Sequence, residues 1–228
     1  MKSKLTKKEA IAALVYLPFH LFLIPLALGW PLKAGKIDEV TASFLCYAVG
    51  FVYMLIFLGK FLRRDFDPLC DRPLRCLILV VGSYMGMLFF NTLATLIISL
   101  VEGGMEFVAN QNNMAVEELA GTGRGLTAAM AVFLAPVTEE LIFRAGIFGM
   151  IRKKSRIAAY IVSILAFSAY HVWSYAITDV RYLLYIIDYI PASFFLCLCY
   201  ERTDTIWAPI FLHMITNGVS MKILEMIS

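Results

Sequence analysis

Apolar runs of about 20 residues, parted by short charged stretches, recur along the chain over 10–31, 40–59, 76–101, 126–151, 157–176, 182–200 and 205–226. A helix needs that length to cross the hydrocarbon core of a bilayer. Stretches such as YIVSILAF and CLILVVGSYMGMLFF do not alternate apolar with polar positions, as the strands of a membrane β-barrel would. The pattern predicts an all-α, polytopic helical membrane protein with about seven (six to eight) transmembrane helices around an intramembrane polar cavity, folded as a single integral domain over 1–228. The fourth run is the irregular one, because Pro136 lies inside it and should break or kink its helix.

Composition agrees with the pattern. Hydrophobic residues make up 61% of the chain and mean hydropathy is +0.77, against about half apolar in soluble domains. Charge then orients the spans. Of the 20 Lys and Arg residues, the ends that share the N-terminal side hold Lys2, Lys4, Lys7, Lys8, Lys60, Arg63, Arg64, Arg72, Arg75, Arg152, Lys153, Lys154, Arg156 and Arg202. The other side holds Lys33, Lys36, Arg124, Arg181 and Lys222, and its longest loop, 101–125, is acidic. The expectation is a cytoplasmic N-terminus and an external C-terminus. No soluble basic face is available for nucleic acid. The first run follows a basic start but lacks a small-residue cleavage site, so it reads as an uncleaved helix. Five scattered cysteines give neither a disulfide framework nor a zinc spacing.

Ionisable groups within membrane spans are costly and mark functional sites by default. Here they are His20, Glu139, Glu140, Arg144, His171, Asp188 and His213, with Asn91 and Asn217 as polar neighbours. Residues four apart share one helix face. Glu140 and Arg144, Phe167 and His171, and His213 and Asn217 form three such pairs on three successive C-terminal spans. Glu139 is turned by about 100° from Glu140. At about 1.5 Å per residue, Glu139, His171 and His213 can meet in the middle third of the membrane. Irregular backbone at that depth belongs beside protein or a wet cavity. Each pair could instead be structural: an ion pair, satisfied core histidines, an interhelical amide clamp. His20, near two prolines, reads as a residue that packs or bonds a carbonyl, and Asp188 is left without a role.

Strings that mark other intramembrane enzymes are missing: G-x-S-G for a serine nucleophile, G-x-G-D for an aspartyl pair, H-E-x-x-H for zinc. A buried carboxylate with histidines and an amide remains, which suits water activation and oxyanion binding.

EELIFR, FSAYH and WAPIFLHMITN (residues 139–144, 167–171 and 207–217) resemble the three signature motifs of the CAAX protease and bacteriocin-processing (CPBP, or Abi) family, E-E-x-x-x-R, F-x-x-x-H and H-x-x-x-N. They lie in order on the helices of 126–226; the helices of 1–101 carry no comparable motif. The resemblance implies a type II CAAX prenyl endopeptidase-like, glutamate-dependent intramembrane endopeptidase. Glu139 and His171 would activate water, His213 and Asn217 would bind the oxyanion, and Glu140, Arg144 and Phe167 would support them. It further implies a metal-free site, with no cofactor, and a membrane-associated peptide or protein substrate. Compact length suggests the bacterial branch, linked to peptide maturation and immunity. Three alternatives stay open: a non-catalytic regulatory or immunity partner on the same scaffold, acyl transfer at the same site, and a divalent metal held by Glu139, Glu140, His171 and His213.

Overall fold

A computed structural model describes residues 5–101 and 110–227, with side chains through Met221. Lys2, Lys4, the side chain of Lys222 and residues 102–109 of the acidic loop lie outside the described residues. The protein is a polytopic all-α membrane protein. Among the described residues, seven long helices follow the seven expected runs: α1 Lys7–Lys33, α2 Glu39–Arg64, α3 Pro73–Val101, α4 Gln111–Arg152, α5 Arg156–Ala176, α6 Ile186–Thr203 and α7 Trp207–Ile227. Among the described residues, six spans, α1 to α6 with their flanking turns, are long and apolar enough to cross a membrane.

Local sequence sets the helix starts. Thr6 and Glu9 form a reciprocal capping box ahead of α1. Asp38 and Ser155 accept from Thr41 N (2.7 Å) and Ala158 N (3.2 Å) at the starts of α2 and α5.

α4 is the central helix. Of its most apolar 18-residue window 61% is buried, against 17–33% in the other five spans. α1 packs on its second half, α2 on its first, and α7 alongside, while α6 runs between α3 and α5. Outward-facing apolar side chains such as Leu26, Ile56, Ile78 and Leu100 are exposed, as lipid-facing positions are.

Two features of α4 differ from expectation. The acidic stretch read as a loop is helical from Gln111 onward, capped by Asn110, whose side chain accepts from Asn112 N. The helix bends at Gly123 (φ −153°, ψ 66°), where a Cβ would sit 2.7 Å from Val40 of α2. Close approach, not flexibility, requires glycine there.

Pro136 does not break the helix. Instead α4 widens to π geometry over Ala129–Leu134, tightens to α over Ala135–Glu140, and widens again over Leu141–Phe148. A π turn ahead of a proline relieves the ring's clash with the preceding turn. The same device recurs in α1, where Phe19–Leu23 is a π turn just before Pro25.

Candidate active site

Glu139 and Glu140 lie at the end of the α segment between the two π turns, both buried. Being adjacent on one helix, they point in different directions and meet different partners. Glu140 ion-pairs with Arg144 one turn on (3.1 Å). Arg144 is fully buried, reaches Ser193 Oγ of α6 at 3.1 Å, and stacks its guanidinium over Phe167 at 4.1 Å. Phe167 thereby joins the ion pair to the second motif.

His171 stands one turn beyond Phe167 on α5. Its Nδ1 lies 2.8 Å from the Phe167 carbonyl, which can only accept, so Nδ1 carries the proton. The Nε2 edge is left facing Glu139 Oε2 at 3.8 Å. Tyr189 of α6 stacks on the imidazole (4.5 Å between centroids, 21°) and holds its plane.

His213 comes from α7. Its Nδ1 donates to Glu140 Oε1 (2.8 Å), and its Nε2 faces the same Glu139 Oε2, again at 3.8 Å. The two adjacent glutamates therefore address opposite nitrogens of one imidazole. Glu139 Oε2 is buried without a hydrogen-bond partner among the described residues. A separation beyond 3.5 Å between such groups is the spacing that a water bridges.

Asn217, one turn past His213, donates from Nδ2 to the Ala131 carbonyl (2.8 Å). The first π turn explains that bond. Ala135 N–H reaches back to Met130 O, and Pro136 has no N–H, so Ala131 O has no acceptor role left within the ladder. Asn217 satisfies it across the bundle and keeps a second amide hydrogen.

Glu139, Phe167, His171, Tyr189, His213 and Asn217 line a cavity of about 440 Å³ that continues past Asn91, Thr95 and Asn113. Asp188, left without a role by the sequence, lines it too and accepts from Asn110 Nδ2 (3.1 Å); Asn110 Oδ1 in turn accepts from Tyr189 (3.0 Å). Asp188 and Asn110 thus brace the tyrosine that stacks on His171.

The motif-free helices also contribute. Tyr47 of α2 lines the cavity, and its hydroxyl lies 3.1 Å from that of Tyr170. Tyr170 bonds His20 Nε2 at 2.9 Å, and His20 Nδ1 meets Tyr16 at 3.3 Å. Gly50 leaves the space that the Tyr16 ring occupies. His20 does more than pack: it anchors a buried polar chain that ends at the cavity wall. Only the intramembrane position of His20 hinted at this.

A buried carboxylate facing two imidazoles in a helical bundle is an arrangement that can transfer protons. Residues 123–219 match the family described as "Type II CAAX prenyl endopeptidase Rce1-like". That segment, less than half of the chain, is similar to the CAAX protease and bacteriocin-processing family. Over 83 residues it is 35% identical to the Bacillus subtilis (strain 168) protein named "Putative membrane peptidase YdiL". That match covers 36% of this chain and 30% of the relative, so it spans less than a third of that protein's length. No solved structure matches the chain.

Proposed function

We propose that the protein is an intramembrane endopeptidase that hydrolyses a peptide bond in a membrane-associated peptide or protein, with Glu139 as general base. One observation carries this reading: Glu139 Oε2 is buried, has no hydrogen-bond partner among the described residues, and faces the Nε2 edges of His171 and His213.

One water can donate a hydrogen bond to Glu139 Oε2 and another to His171 Nε2, which leaves its lone pair free for a carbonyl carbon. Glu139 takes a proton as the water oxygen bonds to that carbon, and the carbonyl electrons become an oxyanion. General base catalysis of this kind contributes about 10²–10⁴-fold. His213, protonated at Nε2, and the second amide hydrogen of Asn217 donate to the oxyanion, each such donor being worth about 10²–10³-fold. Glu140, on the far nitrogen of His213, compensates its charge. When the oxyanion collapses, the C–N bond breaks and Glu139 passes its proton to the leaving amine. The site works with no metal: Glu140 is committed to Arg144 and His213, and Glu139 is used as a base. The N-terminus is cytoplasmic and the C-terminus external, in a multi-pass protein of the bacterial branch.

The test compares membrane peptides in cells carrying wild type or Glu139→Gln. Peptides that accumulate uncut only with the variant support the reading. Identical peptide sets with equal protein levels would favour a non-catalytic partner.

A further inference from the structure

Five contacts show which helix ends share a face. Arg64 reaches Glu9 (2.9 Å), Trp207 Nε1 donates to Leu62 O (2.9 Å), Arg75 donates to Arg202 O (3.0 Å), and Arg152 and Arg156 both hold Glu201. The starts of α1, α3, α5 and α7 and the ends of α2, α4 and α6 therefore form one Arg-rich face, which also carries exposed Cys70.

The cavity extends away from that face: at its deep end Leu196 precedes Arg202 and His213 follows Trp207 by 6 residues each, and its far wall lies well beyond them. Tyr47 precedes Arg63 by 16 residues, Asn91 follows Arg75 by 16, Asp188 precedes Arg202 by 14, and Ser220 follows Trp207 by 13. At about 1.5 Å per residue these are separations of roughly 20 Å or more. Exposure follows the same gradient. Glu139, Phe167, Leu196 and His213 at the deep end are buried, whereas Thr95, Asn113 and Ser220 are exposed. Between the two ends, Asn91 Oδ1 is buried against the cavity with no hydrogen-bond partner among the described residues. A carbonyl oxygen so placed is open to accept from a peptide N–H. Amide side chains recur along this wall, and no Lys or Arg lines it among the described residues.

We propose that the cavity opens toward the face opposite the Arg-rich one, so that the substrate is a peptide segment entering from the outer half of the membrane or its external surface, with a backbone N–H held by Asn91 Oδ1. The Arg-rich face is cytoplasmic by the distribution of Lys and Arg. The proposal rests on the peptidase reading for the identity of what enters, but the route itself is independent of catalysis.

Asn91→Cys and Thr216→Cys place thiols in the cavity wall, and native Cys70 reports the Arg-rich face. A charged, membrane-impermeant methanethiosulfonate is applied to right-side-out and inverted membrane vesicles, and modification is read by mass at each cysteine. Since thiol modification follows access, both introduced cysteines should react about tenfold faster in right-side-out vesicles, and Cys70 about tenfold faster in inverted ones. Faster reaction of both introduced cysteines from the side of Cys70, or reaction from neither side, overturns the proposal. Thr216→Cys decides the matter if Asn91→Cys does not accumulate. Adding Glu139→Gln should leave every labelling rate unchanged; a failed catalytic reading with intact external labelling refutes the chemistry and not the route.

Discussion

Glu140 Oε1 lies 2.8 Å from His213 Nδ1 and 3.1 Å from Arg144, so one carboxylate of the pair holds an imidazole on α7 as well as a cation on its own helix. The spacing of four between Glu140 and Arg144 makes the ion pair foreseeable. The bond to His213 is not, because it depends on how α7 docks against α4. With it, Glu140 becomes the residue that orients the His213 ring and turns its other nitrogen toward Glu139.

Glu140→Gln should therefore injure the fold and the site together. Removing one partner of a buried ion pair strands the other charge and costs about 3–5 kcal/mol. Lower yield and a lower melting temperature in detergent are expected, together with reduced cleavage by the fraction that folds. A variant that melts like wild type but is inactive would show that Glu140, not Glu139, is the base.

Glu139→Gln tests the complementary role. Glu139 Oε2 makes no hydrogen bond among the described residues that the amide would break, and the shape is unchanged. The variant should accumulate normally, melt within a degree or two of wild type and lose general base catalysis, a fall of about 10²–10⁴-fold. His171→Ala should behave similarly. Cleavage by Glu139→Gln near the wild-type rate ends the mechanism proposed above.

Much of this was legible in advance. The seven helices follow from apolar runs, since length and hydropathy are properties of local sequence. Glu139, His171 and His213 stand out because charge at membrane depth is expensive. What stayed hidden has a common cause. Asp188, Tyr189 and Asn110 brace His171 through bonds between helices about 80 residues apart in sequence, and His20, Tyr170 and Tyr47 connect α1, α5 and α2. Such contacts follow from packing, which no periodicity reports. The effect of Pro136 was foreseen only in kind, because a π turn conceals a proline that a strict α ladder would expose.

Exhaustive chelation should leave activity intact. The proposed mechanism uses Glu139 as a base and commits Glu140 Oε1 to Arg144 and His213, so no step in it needs an ion. Treating purified enzyme with a strong chelator and assaying cleavage, with melting as a second readout, checks this. Loss of cleavage that zinc alone restores would assign the four side chains to a metal.

The remaining prediction concerns Asn217, whose amide is shared between a structural bond and the oxyanion. Because Pro136 leaves Ala131 O without a backbone donor, Asn217→Ala should strand that carbonyl inside the membrane, costing about 1–3 kcal/mol of stability. Some turnover should survive, since only one of two oxyanion donors is gone. Pro136→Ala returns an N–H to α4 one wide turn beyond Ala131. If that N–H takes over the carbonyl, Asn217→Ala will destabilise the Pro136→Ala background less than the wild type, with a coupling of about 0.5–3 kcal/mol in a double-mutant cycle. Turnover should not recover along with stability, because the regained donor faces Ala131 and not the substrate. Additive losses in stability would mean that the Asn217–Ala131 bond does not compensate for the proline, and full recovery of turnover would remove Asn217 from the oxyanion site.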